Sequence, residues 1–409
     1  MYDSLYFHID VNSAFLSWTA VDKLKTNPDY DLRLIPSIIG GDQSNRHGIV
    51  LAKSIPAKPY GIQTAEPIAS ALKKCPNLVI EKPNHSLYSK YSHDLMQLLA
   101  SYCPNLEQLS IDECFLDFTM FVNDYESPVA AATIIKDDVF KKLGFTVNVG
   151  ISTKKVLAKM ASDFKKPNLV HTLFPSEIKE KMWPLPINEL YMCGKAASAT
   201  LQKLGINTIG DLAKADIDII TSHLKSHGRL LWEYANGIDD STLSSSHAPL
   251  KGIGHSTTLA TDVETYETAC PILLHLCDKV AVRLRKAGNL AGMINVEIKY
   301  ADFTSVSHQT QLNPPTDNSA QLYKTACGLY QKLWNGTPVR LIGVRTSKLS
   351  DVNEPIQLDF FHIIEHNAIS DKQKRLDAAI DSIRNKYGES AVVRGSSVKK
   401  HLKSEESTK

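Results

Sequence analysis

Two neighbouring acids, Asp112 and Glu113, stand in the middle of the apolar stretch QLSIDECFLDF, residues 108–118. Burying carboxylates is costly unless cations or hydrogen-bond donors offset it. Divalent metal ions are the partners that most readily hold clustered carboxylates. A third acid, Asp10, closes the apolar run LYFHIDV. Three carboxylates can hold two divalent ions about 3.5–4 Å apart, which activates an attacking oxygen and stabilises a leaving one in phosphoryl transfer. A plainer account also fits the pair: strand alternation sends neighbouring side chains to opposite faces, one acid to water and the other to a lysine. Spacing alone does not bring Asp10 to the other two.

The elements that must position these acids follow from the pattern. LYFHIDV predicts a strand and VNSAFLSWTAVDKL a helix. LRLIPSIIGG and IVLAKSI predict two short strands around a polar link. EPIASALKKC and SLYSKYSHDLMQLLASYC carry apolar residues every three or four positions and predict helices. The acid pair is expected inside a strand, followed by a helix over roughly 126–142 and the strand FTVNVGIS. Strands and helices alternate without a uniform βαβ repeat, so the class is α+β.

From residue 188 to about 238 the helices become short. Gly194 with Lys195, and then Gly228, stand where two helix-hairpin-helix turns would fall, whose amides and helix N-termini can hold a DNA phosphate without reading a base. A plain helical connector stopped by glycine fits the same residues. The polar stretch DDSTLSSSHAPL predicts an interdomain linker. Beyond it the order strand, helix, strand, strand, helix, strand predicts a separate ferredoxin-like domain. A last helix, DKQKRLDAAIDSIRNKYG, precedes a charged, Ser-rich end.

The totals narrow the class. With 409 residues the chain exceeds one ordinary core. Its 46 basic and 44 acidic side chains nearly cancel, so nucleic-acid binding must come from local patches rather than net charge. Seven cysteines are scattered without a CxxC pair, which argues against a disulfide framework or zinc site and fits reduced, packed thiols. The opening MYDSLYFHIDV lacks the features of a signal peptide. No uncharged apolar stretch approaches the roughly 18–20 residues of a membrane helix. A cytoplasmic protein with no membrane association is expected.

Five stretches in order, FHIDVNSAF, YGIQTAEPIASALKKCPNL, LSIDECFLDF, NVGISTKKVLAKMASDFKKPN and KGIGHSTTL, resemble the Y-family DNA polymerases of the bacterial DinB/UmuC type, the translesion class. The resemblance covers about residues 5–350. It implies a multidomain right hand with palm (1–19 and 78–170), fingers (20–77), helix-hairpin-helix thumb (171–240), linker (241–250), ferredoxin-like little finger (251–350) and a tail (351–409).

The same resemblance implies roles. Asp10, Asp112 and Glu113, with the Val11 carbonyl, match the ligands of two Mg²⁺ ions. Lys166 matches a lysine that contacts the triphosphate, and Phe15 the aromatic steric gate that leaves no room for a 2′-hydroxyl. By itself Phe15 reads as a core residue of an amphipathic helix. The stretch SIPAKPYG departs from the DinB pattern, with Ile55 and Lys58 where that branch carries Tyr and Arg. A lysine is a point charge and lacks the fork of arginine. UmuC-like relatives also carry lysine there.

Ser256, Thr258, Arg340 and Arg345 are the DNA-facing candidates of the little finger, and alternation favours Arg345 over Arg340 as the phosphate contact. QLDFF, with Gln357, Leu358, Phe360 and Phe361, resembles a sliding-clamp-binding peptide. The implied protein is a monomeric, low-fidelity, template-directed DNA polymerase that uses dNTPs, primer-template DNA and a β clamp. Two rival classes share some of these features: a catalytically inactive DNA- and clamp-binding repair accessory, and a palm-type nucleotidyl cyclase.

Overall fold

The computed structural model describes residues 2–41, 48–244, 249–354, 375–384, 386–388 and 391–392. The expected clamp peptide, residues 357–361, lies outside them. The chain forms two compact units that meet in sequence at residues 247 and 248.

The first unit contains β1 (Tyr6–Val11), α1 (Ala14–Leu24), β2 (Ser37–Gly40), β3 (Val50–Lys53), α2 (Ile68–Lys74), β4 (Val79–Glu81), α3 (His85–Ala100), β5 (Leu106–Gln108), β6 (Glu113–Asp117), α4 (Pro128–Leu143), β7 (Val147–Ser152), α5 (Lys155–Asp163), β8 (Val170–Thr172), α6 (Lys195–Lys203), α7 (Ile209–Lys214) and α8 (Ile217–Ala235). Its main sheet runs β5-β6-β1-β7-β8, and a small sheet runs β3-β2-β4.

β1 is the central strand, and all six of its residues are buried. That is why it reads as a continuous apolar run rather than an alternating one. Its odd-numbered residues Phe7, Ile9 and Val11 join Tyr91 and Leu95 of α3 and Ile135 and Val139 of α4 in one core. Its even-numbered residues turn to the opposite face, where His8 meets Ser162 of α5. A glycine lets α5 come so close. A Cβ on Gly150, which lies opposite His8, would stand 2.0 Å from the Ala158 carbonyl oxygen and 2.4 Å from the Ser162 nitrogen.

Two expectations change. QLSIDECFLDF is a hairpin rather than one strand: β5 ends at Gln108, β6 begins at Glu113, and the Leu109 and Ser110 amides both donate to the Glu113 carbonyl, at 3.0 and 3.2 Å. Asp112 is therefore the last residue of a tight loop, so strand alternation does not separate it from Glu113. Gly228 is not a turn. The break in α8 falls at Lys225 (φ 55°, ψ −139°), and Gly228 lies buried in the second limb. A Cβ there would meet the Ile220 carbonyl oxygen at 2.8 Å, so the missing side chain serves close packing between the limbs.

After α8 the chain crosses back over the main sheet as a strap. Asp239 accepts from the Val156 amide at the start of α5 (2.8 Å), while Glu107 accepts from Lys155 Nζ (2.7 Å) and from the Ser244 amide (2.9 Å). Leu243 packs on Tyr6, Phe115 and Ala158.

The second unit contains β9 (Gly252–Val263), α9 (Tyr266–Lys286), β10 (Asn289–Tyr300), β11 (Ser305–Thr316), α10 (Ser319–Leu333) and β12 (Val339–Asp351). The antiparallel sheet runs β11-β10-β12-β9, so the two βαβ units interleave. Ile342 and Val344 of β12 point into a core shared with Leu273, Val280, Leu322 and Tyr330 of the helices. The alternate residues Gly343 and Arg345 face outward. Among the described residues no helix is long and apolar enough to cross a membrane.

Replacing Gly150 by alanine should lower stability by roughly 2–3 kcal/mol, since α5 must lift from the sheet to admit one methyl group. Urea unfolding midpoints of Gly150→Ala and wild type measure this, and equal midpoints would show that α5 yields without strain.

Candidate active site

Asp10 is the penultimate residue of β1, and in register it faces Glu113 of β6 on one side and Asn148 of β7 on the other. The Val11 amide donates to the Asp112 carbonyl at 3.1 Å, which fixes the hairpin loop against the end of β1. The Asp112 carboxylate accepts from the Ser110 hydroxyl at 2.7 Å. All three acids thus meet at one end of the main sheet. As their side chains stand, no group of three or more His, Cys, Asp or Glu residues among the described residues is arranged to hold a metal ion.

Two ammonium groups occupy the space beside the acids. Lys166 Nζ lies 2.5 Å from Asp10 Oδ2, and Lys159 Nζ lies 2.7 Å from Glu113 Oε1. Asp163 bridges the two lysines, at 2.8 Å from Lys166 and 3.4 Å from Lys159. Burial raises the Asp10 carboxyl to about 6; Lys166 opposes that rise, and a hydrogen bond with Glu113 adds to it. Both lysines are held above the ordinary lysine range: burial pulls them down, but the acids they pair with outweigh it.

Asp10 is a hard oxygen ligand whose charge two lysines leave under-compensated. With Asp112 half-buried at the loop and Glu113 opposite, the donor set fits a divalent cation of the magnesium type.

Sequence reasoning missed His8 and Lys159. His8 is fully buried, its Nδ1 is 2.8 Å from Ser162 Oγ, and its Nε2 stands 3.9 Å from Glu113 without a hydrogen-bond partner. Burial, aided by Lys159 and Lys166, pushes its pKa well below the usual value, so the ring is neutral. Lys155 and Lys159 stand one turn apart on α5 and are both buried. The sequence signals this only weakly, as two lysines one turn apart within the otherwise small and apolar stretch KVLAKMAS, since their burial follows from the packing of α5 on the sheet.

Phe15 lies in the first turn of α1, half-buried. Its ring stacks on Tyr88, with centroids 4.4 Å apart and planes at 8°, and meets the edge of His85 at 6.1 Å. The Tyr88 hydroxyl is 3.1 Å from Thr19 Oγ1, which tethers the stack to α1.

Ile55 and Lys58 lie exposed on a 3₁₀ helix over Ile55–Tyr60. Ser54 caps its start, and it ends at Gly61 with φ 70°. Lys74 Nζ donates to the Gly61 carbonyl at 2.8 Å and Lys53 Nζ to the Ile62 carbonyl. Gly194 caps α6, and Lys195 is its first residue; open space surrounds the glycine.

In the second unit Ser256 lies opposite Gly343, Thr258 opposite Leu341, and Arg345 between Gly254 and Asn295. Ser256 and Arg345 line one open concavity with Gln309, Ser307 and Glu297. Arg340 stands apart from it, with its guanidinium 4.8 Å from the centre of the Phe303 ring.

Residues 9–163 match the model of the impB/mucB/samB family, and residues 250–360 match that of the impB/mucB/samB family C-terminal domain. A protein of Clostridium acetobutylicum named DNA polymerase IV is 45% identical over 97% of this chain and 99% of its own length. DNA polymerase IV 2 of Bacillus subtilis is 33% identical over 97% of this chain and 95% of its own. Among solved structures, the Y-family DNA polymerase chimera Dbh-Dpo4(243-245)-Dbh matches 87% of this chain and all 100% of its own with a TM-score of 0.73, at 22% identity, which speaks for the fold.

Because the folded-state value of Asp10 is raised, its contribution to stability is fully present below about pH 4 and is lost as pH rises through about 6. In metal-free protein Asp10→Asn should therefore gain on wild type, by on the order of 2 kcal/mol, between about pH 4 and about pH 7. Urea denaturation at both ends of that window measures it, and a constant difference between the two proteins would contradict the raised value.

Proposed function

The chain belongs to the impB/mucB/samB family, the DNA polymerase IV group of Y-family polymerases, and we propose that its acid cluster at the end of β1 is the nucleotidyl-transfer centre. The protein is a DNA-directed DNA polymerase of translesion synthesis. It joins a dNTP to a primer end opposite a template base and releases pyrophosphate. The observation that carries the assignment is the register pairing of Asp10 with Glu113, with Asp112 tied to the same strand end by the Val11 amide.

Asp10, Asp112 and Glu113, with the Val11 carbonyl, are the residues that would hold two Mg²⁺ ions. When bound, the ions lower the pKa of the primer 3′-hydroxyl and stabilise charge on the departing pyrophosphate. The chain's own residues do the rest. Lys166 and Lys159 keep the carboxylates together before cations arrive. Lys166, partly exposed, then turns from Asp10 to the triphosphate. His8, neutral and walled in, adds no competing charge beside Glu113.

Phe15 is the floor under the incoming sugar, and its stack on Tyr88 keeps the ring from giving way to a 2′-hydroxyl. Lys58 offers the triphosphate a single charge from a turn stiffened by Pro56 and Pro59. Ile55 supplies no hydroxyl, so this loop contributes less to triphosphate grip than a Tyr and Arg pair does.

The main sheet of the first unit serves as palm, the β3-β2-β4 segment as fingers and α6–α8 as thumb. The short fingers offer little surface to test the geometry of the nascent pair, which favours lesion tolerance over fidelity. The α6 N-terminus at Gly194 and Lys195 suits a DNA phosphate. Arg345, Ser256 and Thr258 form the phosphate-facing side of the little finger, while Arg340 is committed to Phe303. Residues 357–361 are the clamp-binding peptide, with Gln357 hydrogen-bonding and Leu358, Phe360 and Phe361 filling an apolar groove. The working form is a monomer on primer-template DNA.

Primer extension with Mg²⁺ on undamaged and lesion-bearing templates tests the assignment. Asp112→Asn should reduce extension by roughly a thousandfold or more while DNA binding persists. Wild type that extends no primer would leave only the accessory role.

Phe15→Ala should raise ribonucleotide insertion relative to deoxyribonucleotide insertion by roughly tenfold or more. Unchanged sugar selection would remove Phe15 from the gate.

A further inference from the structure

Lys166 sits in the turn between α5 and β8, and two buried asparagines grip the backbone of that turn. Asn148 of β7, opposite Asp10, is fully buried, and Asn12, just after β1, is nearly so. The Asn148 side-chain amide donates to the Lys165 carbonyl at 2.7 Å and to the Ser162 carbonyl at 3.1 Å, while its oxygen accepts from the Leu169 amide at 3.2 Å. The Asn12 side-chain oxygen accepts from the Asn168 amide at 2.8 Å and from the Thr146 hydroxyl at 2.9 Å. The Asn12 side-chain amide donates to the Asn148 oxygen at 3.1 Å, which joins the two grips into one.

The partners fix both side-chain orientations, because backbone carbonyls only accept and backbone amides only donate. Asn148 thereby uses its whole donor and acceptor capacity, the condition under which a buried polar network rigidifies what it holds. The contacts bracket Lys166: the carbonyl of Lys165 is held on one side, and the amides of Asn168 and Leu169 on the other. Two outer contacts support the same turn. His171 Nε2 lies 3.0 Å from the Lys165 carbonyl, and Lys136 Nζ donates to Asn168 Oδ1 at 3.1 Å. Asn168 itself takes the left-handed conformation, with φ 61°, which the grip of Asn12 on its amide sustains.

We propose that Asn12 and Asn148 are positioning residues for the incoming nucleotide, a paired clamp on the backbone at both sides of Lys166, in a role that rests on Lys166 being the triphosphate contact. A lysine ammonium is a point charge on a flexible four-carbon stem. Freedom in the turn would add to that of the stem and spread the charge over a larger volume. The clamp confines the movement to the side chain, which can leave Asp10 and Asp163 for the phosphates while the turn stays in place. Because this contact is already made in the bound nucleotide, loosening the turn weakens nucleotide binding more than it slows the bound complex.

Single-turnover primer extension with Mg²⁺ over a range of dNTP concentrations tests the clamp, using wild type, Asn148→Ala, Asn12→Ala, Lys166→Ala and the double variant Asn148→Ala/Lys166→Ala. Each asparagine variant should raise the half-saturating dNTP concentration about tenfold and change the maximal rate by less than about threefold, since a misplaced contact acts through its charge on the triphosphate. The double variant should be no worse than Lys166→Ala alone, because a turn without its lysine has nothing to position. Should Asn148→Ala fail to fold, Asn12→Ala decides, since it leaves the bonds of Asn148 to Ser162 and Lys165 in place. Asparagine variants that lose maximal rate at an unchanged half-saturating concentration, or whose effect multiplies with that of Lys166→Ala, would overturn the clamp and leave a structural role. An unchanged half-saturating concentration in Lys166→Ala would instead remove Lys166 from the triphosphate, and the clamp with it.

Discussion

Carboxylates at the buried end of a β-sheet repel one another and lack the water that would screen them, and the first unit is organised around that constraint. α5 supplies the relief. It lies so close to the sheet that Gly150 has no room for a Cβ, and this proximity brings Lys159 to Glu113 and keeps Ser162 against His8. Lys166, just beyond the helix, completes the arrangement at Asp10. The lysines hold the acids in place without neutralising them fully, as the raised Asp10 carboxyl indicates.

The second unit solves a different problem. Its helices take one face of the sheet for a core, and alternation along β12 divides Ile342 and Val344, which join that core, from Gly343 and Arg345. Arg340 lies near the irregular start of that strand, where register shifts, and there it stacks on Phe303 instead of joining Arg345. Strand parity does not carry across that shift, so it is the irregularity rather than alternation that places Arg340. Parity gave no hint that an exposed aromatic ring would engage it.

Much of the fold was legible in the sequence because its signals are local. β1 reads as a strand from six consecutive buried residues, and the alternating order of the second unit follows from periods of two and three to four. The acids were legible too, since carboxylates in apolar runs are conspicuous. Lys159 was not, because a lysine on a helix looks solvated until the helix is known to lie flat on a sheet. The hairpin within QLSIDECFLDF escaped notice because its loop, Leu109 to Asp112, holds neither glycine nor proline, and Gly228 misled for the opposite reason: a glycine that permits close packing resembles one that permits a turn. The stack of Phe15 on Tyr88 depends on two distant segments meeting, which no periodicity encodes.

The strap after α8 has a mechanical side. Asp239 grips the first turn of α5, Glu107 and Lys155 clasp the chain one step further on, and Leu243 anchors it on Phe115 of the acid-bearing strand. Tension on the outgoing backbone therefore meets Ser244 and Leu243 first and reaches the start of α5 only at Asp239. The exit of the chain from its first half works as a tendon, inserted on the acid-bearing sheet and its covering helix.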